Sequence, residues 1–382
     1  MAHASPNGHI QPATVPGQTV REPTRSALRT AHSSGVRSGS PRVAVIGCGL
    51  IGRRRAGVVR RSGPGDLVIV ADVDGSRAEA VAGEMGCLAT TDWKAAVARG
   101  DVDVVIVSTT NNWLAPMSVA ALSAGKHVLV EKPMARTVAE ALAVLEAARV
   151  SNSAERPVVC VGFNHRFHPA LRRAHSLARE GAIGELLYIR CRYGHGGRPG
   201  YEREWRMDPE VGGGGELLDQ GIHAVDLFRW FLGDFAVVFG FVQSYVWRRD
   251  GEARPVEDNG FALFRTSAGQ VATLHASCTQ WKNLFSFEVT GTEGYLAVEG
   301  LGGSYGPERL RVGRRRREGG PPEEDGLEYP EGDVSWEAEW REFVSALREG
   351  RQPLAGANEG LQAVRMVYAV YGSARTGEAI RL

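Results

Sequence analysis

The sequence predicts an α/β chain of two domains. The first is a doubly wound parallel sheet covered by helices on both faces. The second is an α+β domain carrying a large, mostly antiparallel open sheet. Three observations carry this reading. Short β-branched runs alternate with helical stretches from Arg42 to about residue 162. After residue 163 strands succeed one another without helices between them. A Gly-x-Gly-x-x-Gly turn, Gly47 to Gly52, directly follows the first apolar run.

In the first half the apolar runs are Val43–Ile46, Leu67–Ala71, Val102–Ser108, His127–Val130 and Val158–Phe163. They are continuous, as in strands buried on both faces, and helices are expected between them at Ser76–Met85, Ala115–Ala124 and Val138–Val150. In the second half a helix near Ala170–Arg179 leads to strands expected at Leu186–Tyr193, Ala236–Trp247, Phe261–Arg265, Val271–Thr279, Phe285–Thr290 and Tyr295–Glu299. One face of such a sheet has to be covered by helices or by another subunit. Arg314–Arg317 followed by Glu323-Glu324-Asp325 reads as a solvated loop. Helices near Trp336–Arg348 and Glu359–Ala374 close the chain. The expected boundaries are a disordered tail over 1–40, a cofactor domain over 41–162 and a substrate and oligomerisation domain over 163–382. The tail is rich in Ser, Pro, Gly, Thr and Arg and lacks the apolar core of a signal peptide.

Composition excludes several function classes. Charged residues make up 23% of the 382 and the net charge is +1, so no global field draws the chain to nucleic acid. No stretch approaches the roughly 20 apolar residues of a membrane span. Five cysteines, odd in number and far apart, argue against disulfides or a zinc site. A reducing cytoplasm and a metal-free site are expected. Only Lys94, Lys126, Lys132 and Lys282 are lysines, against 41 arginines (45 basic residues less four), so each lysine is informative.

The glycine turn Gly47-Cys48-Gly49-Leu50-Ile51-Gly52 precedes a plausible helix from Leu50. Glycines there allow a tight turn and bring backbone N–H groups close to a dinucleotide pyrophosphate. Asp72 ends a second apolar strand, 20 residues after Gly52, where a carboxylate meets the adenosine ribose hydroxyls. Such a carboxylate repels a 2′-phosphate, so NAD is favoured, while Arg77 keeps NADP open. Thr109 and Asn111, beyond another strand end, are candidates to line the nicotinamide ribose.

The helix expected over 216–232 is apolar on most sides, yet Asp219, His223, Asp226 and Trp230 fall within about 60° of one another at 100° per residue. A polar stripe in a buried helix needs partners or a ligand. Gly212–Gly215 ahead of it gives close backbone access. Glu131-Lys132-Pro133 ends an apolar strand of the cofactor half. Oxidising a secondary alcohol requires hydride removal from carbon and proton removal from oxygen. A histidine suits the proton step, a neighbouring carboxylate can orient it, and a lysine can hold the developing alkoxide.

With Ala124-Gly125-Lys126-His127, Gly213–His223 and Gly291-Thr292-Glu293-Gly294 added, the chain from about residue 42 onward resembles the Gfo/Idh/MocA oxidoreductases. The resemblance implies a Rossmann domain followed by an open-sheet domain used in homodimers or homotetramers. It also implies that Lys132, Asp219 and His223 match the family's catalytic lysine, aspartate and histidine. Glu131 and Lys132 join the glycine loop, Asp72, Thr109 and Asn111 as expected cofactor contacts. The family often has Thr-Pro-Asn-x-x-His beyond the fourth strand, whereas here Thr110 stands for the Pro and Leu114 for the His.

Arg166, Trp205 and Arg206 are the candidates for touching substrate. The segment Tyr193–Met207 is rich in arginine and aromatic residues, which suits a sugar ring bearing phosphate or nucleotide. The expected reaction is NAD(P)-dependent oxidation of a ring secondary hydroxyl of a sugar, nucleotide-sugar or cyclitol, with C3 the best guess. An NAD-dependent glycosidase that oxidises transiently and a non-catalytic cofactor-binding regulator are the alternatives.

Overall fold

The computed structural model describes residues 39–150, 156–248 and 256–382. The tail expected at 1–40 falls, but for its last two positions, outside the described residues.

Six parallel strands form the first sheet in the order β3-β2-β1-β4-β5-β6. They are β1 (Arg42–Ile46), β2 (Asp66–Ala71), β3 (Leu88–Thr90), β4 (Val104–Val107), β5 (His127–Val130) and β6 (Val159–Val161). The order reverses between β1 and β4, so the ends of these two strands open the crevice in which doubly wound sheets bind ligands. Val43, Val45, Val104, Ile106, Val128 and Leu129 are buried to 2% exposure or less, as strands covered on both faces must be. β3 is short and exposed at Leu88 and Ala89, which is why no apolar run marks it in the sequence.

The second sheet has nine strands, β14-β13-β12-β11-β7-β10-β9-β8-β15. They are β7 (Leu186–Gly194), β8 (Phe235–Gln243), β9 (Asn259–Thr266), β10 (Val271–Ser277), β11 (Leu284–Gly291), β12 (Gly294–Glu299), β13 (Glu308–Arg314), β14 (Glu323–Tyr329) and β15 (Ile380–Arg381). Every pairing is antiparallel except β7 with β10. The helices Pro169–Arg179, Ile222–Leu232 and Ala357–Thr376 supply the apolar cover of one face. The charged stretch expected to be a solvated loop is a correction. Arg314 ends β13 and Glu323–Asp325 begin β14, an antiparallel pair in which Arg314 lies opposite Glu323. β14 is exposed at nearly every position, so no alternation of apolar and polar residues announced it.

The helix Ser335–Glu349, late in the sequence, returns to the first sheet. Its Trp336, Trp340, Phe343, Val344 and Leu347 share a core with Val43, Val45, Ala56, Val59 and Val70. Arg55, on the helix Leu50–Arg61, donates to Glu339 on this returning helix and, at 2.7 Å, to Glu131. The buried Arg55 thus ties the residue after β5 to the returning helix.

Candidate active site

A cavity of about 1250 Å³ runs from the glycine turn to the polar helix of the second half. At its first end Gly47 has φ 91°, and a Cβ there would stand 2.3 Å from the Ser108 carbonyl oxygen at the end of β4. Only glycine therefore lets β1 and β4 close on one another at the switch point. Gly49 is different: nothing lies within 4 Å of its would-be Cβ, and the helix it opens has no side-chain cap. Free N–H groups at a helix start beside open space suit a pyrophosphate. Asp72 accepts from the Cys48 N–H at 2.7 Å and from the Asp74 N–H at 2.9 Å, so it braces the glycine turn from the end of β2. Leu50 and Val73, 87% and 86% exposed, flank this region with apolar surface that a flat ring could cover. These features fit a dinucleotide.

Of the expected cofactor residues, Gly47, Gly49, Leu50, Ile51, Asp72, Thr109, Asn111, Glu131 and Lys132 line the cavity. Cys48 and Gly52 support it from behind, Gly52 packing on the Gly47 carbonyl. Asn111 lies at the start of a helix, Asn111–Ser123, that begins four residues earlier than expected, and its Nδ2 donates to the Gly212 carbonyl at 2.8 Å. It ties the cofactor end to the glycine run of the second half. Leu114, where the family pattern has histidine, is fully buried.

At the other end, Lys132 Nζ donates to Asp219 Oδ1 and to the Asp219 carbonyl, both at 2.7 Å. Arg206 Nε stands 3.2 Å from the other carboxylate oxygen. Burial pushes the Asp219 carboxyl up, but Lys132 and Arg206 outweigh it and hold the group at about 2. Asp219 is therefore ionised throughout the physiological range. The segment around it departs from the simple helix expected, because Leu217–Gly221 is a π-helical turn that leads into the α-helix Ile222–Leu232. Such a turn widens the backbone locally and is frequent at functional sites.

His223 is 5% exposed, and its Nδ1 has no hydrogen-bond partner among the described residues. Its ring stacks on His165 with centroids 3.9 Å apart and planes 22° apart. Burial, His165 and Lys132 hold the His223 imidazole well below its usual range, so it is neutral near pH 7. His165 is depressed in the same way by burial, His168 and Lys132.

The lower part of the expected polar stripe does not reach the cavity. Asp226 is buried and receives two hydrogen bonds from Arg166, each 2.7 Å. Trp230 stacks on His175 and also faces the Arg166 guanidinium. Arg166 is 5% exposed and is absent from the cavity wall, so the structure does not bring it to a substrate. Trp205 and Arg206 do line the cavity, with the guanidinium 4.5 Å above the indole. Asn164, His165, His168, Tyr305 and Trp336 are among the further residues of the wall that were not singled out. The first three belong to the run Asn-His-Arg-Phe-His just past β6, a pair of histidines at a strand end that sequence reading could have noticed.

Among the described residues no group of three or more His, Cys, Asp or Glu is placed to hold a metal ion, and no helix is long and apolar enough to cross a membrane.

Comparison with known proteins bears on the two halves of the chain and their fold. Residues 41–163 match the NAD-binding Rossmann fold of the oxidoreductase family, and residues 171–297 match a GFO/IDH/MocA C-terminal domain. A levoglucosan dehydrogenase of Pseudarthrobacter phenanthrenivorans is 31% identical over 229 residues, which are 54% of this chain and 58% of that protein. A 1,5-anhydro-D-fructose reductase of Ensifer adhaerens is 30% identical over 354 residues, 88% of this chain and 97% of that protein. A solved levoglucosan dehydrogenase in complex with NADH has the same fold, with a TM-score of 0.79 at 24% identity over 90% of this chain and 99% of its own.

Proposed function

The chain belongs to the GFO/IDH/MocA family of NAD-binding oxidoreductases, and on that premise we propose that it oxidises a ring secondary alcohol of a neutral sugar or cyclitol with NAD. The observation that supports this reading most directly is the meeting of Lys132 with Asp219 and of both with a neutral, buried His223 in one cavity that begins at the dinucleotide turn.

Bound NAD supplies the hydride acceptor. The protein's part is to seat the alcohol and manage its proton. The Lys132 ammonium, fixed twice by Asp219, is placed to hold the substrate oxygen as negative charge develops on it. His223, neutral and with a free ring nitrogen, accepts the hydroxyl proton. Asp219 keeps its charge and so keeps the lysine oriented. The aromatic rings of Tyr193, Trp205 and Tyr305 give faces on which a sugar ring can rest.

An anionic substrate loses the support that the arginine count lent it. Arg198 pairs with Glu204 at 2.6 Å, Arg203 with Glu202 at 3.3 Å, and Arg206 with Asp219 at 3.2 Å. A guanidinium already matched to a carboxylate offers little to a phosphate. The related levoglucosan dehydrogenase and 1,5-anhydro-D-fructose reductase are named for neutral rings. Incubation with NAD and a panel of neutral sugars, cyclitols, sugar phosphates and nucleotide-sugars, followed at 340 nm, tests the reading. NADH formation confined to phosphorylated substrates overturns the choice of a neutral ring, and none with any substrate overturns the dehydrogenase itself.

We also read the uncovered face of the second sheet as the contact with a second copy. Phe241, Leu263 and Phe261 stand on it, 59%, 47% and 37% exposed, an apolar surface of the kind that marks an interface. All five cysteines are free and four are buried, a chemistry suited to a reducing cytoplasm.

A further inference from the structure

Glu216 sits on the same helical segment as Asp219 and His223, and the chemistry above leaves it unused. Its side chain is 1% exposed, and neither carboxylate oxygen has a hydrogen-bond partner among the described residues. Its one close charged contact is His195, whose Nε2 lies 3.5 Å from Oε2. The imidazole is turned to serve it. The Gly197 N–H donates to His195 Nδ1 at 3.0 Å, so the neutral ring carries its proton on Nε2, toward Glu216. His195 lines the cavity while Glu216 lies behind it.

The groups around Glu216 are few and known. Lys132, at the end of β5, and Asp219 act on it with opposite signs. Tyr193 of β7, Tyr201, Tyr305 and Cys278 all lie within its field, and each is pushed toward its neutral form by burial. Glu257, whose carbonyl accepts the Glu216 N–H, has its own carboxylate engaged by Gly215, Leu217 and Tyr371. Burial pushes His195 down, but the Glu216 carboxylate and Asp219 outweigh it and hold the imidazole above its ordinary value, so the charge of His195 follows that of Glu216 and no permanent cation faces the carboxylate from that side.

The reaction releases a proton that has to be stored. Oxidation converts a secondary alcohol and NAD+ to a ketone, NADH and one proton, the hydride leaving carbon and the proton leaving oxygen. His223 can take the proton from oxygen, but a buried imidazole beside Lys132 and His165 is a poor place to leave it. Asp219, held at about 2, cannot keep it either. Resting on the dehydrogenase reading, we propose that Glu216 is the store: it receives the hydroxyl proton after His223, and His195, which lines the cavity and stands 3.5 Å from the carboxylate, is the positioning residue that stabilises its ionised form. The carboxylate becomes a carboxylic acid as the ketone forms, and the O–H bond breaks again when the proton leaves to water with product. In the reduction direction the acid form supplies the proton. Burial pushes Glu216 up to about 7, which suits a group that must both accept and release near neutrality.

The test is the pH profile of kcat for oxidation in the wild type, Glu216→Gln and His195→Phe, with NAD affinity and melting temperature measured on the same samples. In the wild type kcat should rise with pH through a limb near 7. Glu216→Gln should lose that limb and about tenfold or more of its turnover at neutral pH, while NAD still binds. His195→Phe should move the limb to higher pH, because the carboxylate has lost the imidazole that favours its ionised form. A limb unchanged in both variants overturns the proposal, whatever the stability cost of the substitutions. If Glu216→Gln unfolds, the His195→Phe shift alone decides. The wild type's own NADH production, read alongside, separates failure of the store from failure of the dehydrogenase reading.

Discussion

Asp219 accepts the Lys132 ammonium twice, through its side chain and through its own backbone carbonyl, at 2.7 Å each. The two residues are 87 apart in sequence and come from different halves of the chain, a strand end and a π-helical turn. The lysine therefore grips the π-helical turn by both a side chain and a backbone group, and the backbone irregularity and the lysine meet at one residue.

That coupling makes the pair a unit. Lys132→Met should keep NAD binding and lose turnover by roughly 10²–10³-fold, the scale of removing one donor from a developing oxyanion. Adding Asp219→Asn to it should cost much less than the product of the single effects. Steady-state kinetics of the four proteins checks both statements, and simple multiplication of the two losses would show that the residues act separately.

Asp72 should set cofactor choice. It is bonded to the N–H groups of Cys48 and Asp74, and Arg77 approaches it to 3.4 Å. Asp72→Ala should weaken NAD binding and narrow the preference over NADP, since the repulsion of a 2′-phosphate goes and Arg77 is released. Titration of both nucleotides against both proteins reads this out. Tighter NADP than NAD binding by the wild type would reverse the assignment.

Arg166 and Asp226 should matter to stability and little to binding. Both are buried, and removing one member of such a pair leaves an uncompensated charge, which costs about 3–5 kcal/mol. Arg166→Met should lower the denaturation midpoint by a corresponding amount while the folded fraction keeps its KM for substrate. A raised KM with unchanged stability would return Arg166 to the substrate site.

His165 should give an acid-sensitive stability term. Its folded pKa lies below 6.5, so below that pH the unfolded chain binds more protons than the folded one, and stability is lost as pH falls. The slope is about 1.4 kcal/mol per pH unit for one such group. Glu216 and Glu339, each pushed up by burial to about 7, act in the opposite sense between roughly 4.5 and 7. The contribution of His165 is therefore read as a difference: His165→Phe should lose less stability than the wild type between pH 6.5 and 5.5. Parallel denaturation curves at both pH values for the two proteins would contradict it.

The open face of the second sheet should hold a second copy. Phe241→Arg combined with Leu263→Arg should produce monomers in sedimentation velocity with little change in helix content. A wild type that is monomeric at micromolar concentration would remove the interface.

Some of this protein is written locally. Continuous β-branched runs are buried on both faces wherever they pair, so five of the six parallel strands could be placed from sequence, and the glycine turn could be placed because only glycine tolerates the approach of Ser108 at Gly47. Residue types suited to proton chemistry, Lys132, Asp219 and His223, stood out as polar groups in apolar surroundings. Other features depend on contacts between residues far apart in sequence, and no local pattern encodes them. Nothing near Asp226 tells that Arg166, 60 residues earlier, will neutralise it. Nothing in Ser335–Glu349 tells that its tryptophans pack beneath β1. The exposed strand β14 is held to β13 by backbone bonds and by Arg–Glu and Arg–Asp contacts, with no apolar rhythm along it to reveal it. The same distinction divides the arginines of the 193–207 segment from a phosphate site: composition counts charges, and only the folded chain decides which carboxylate each one meets.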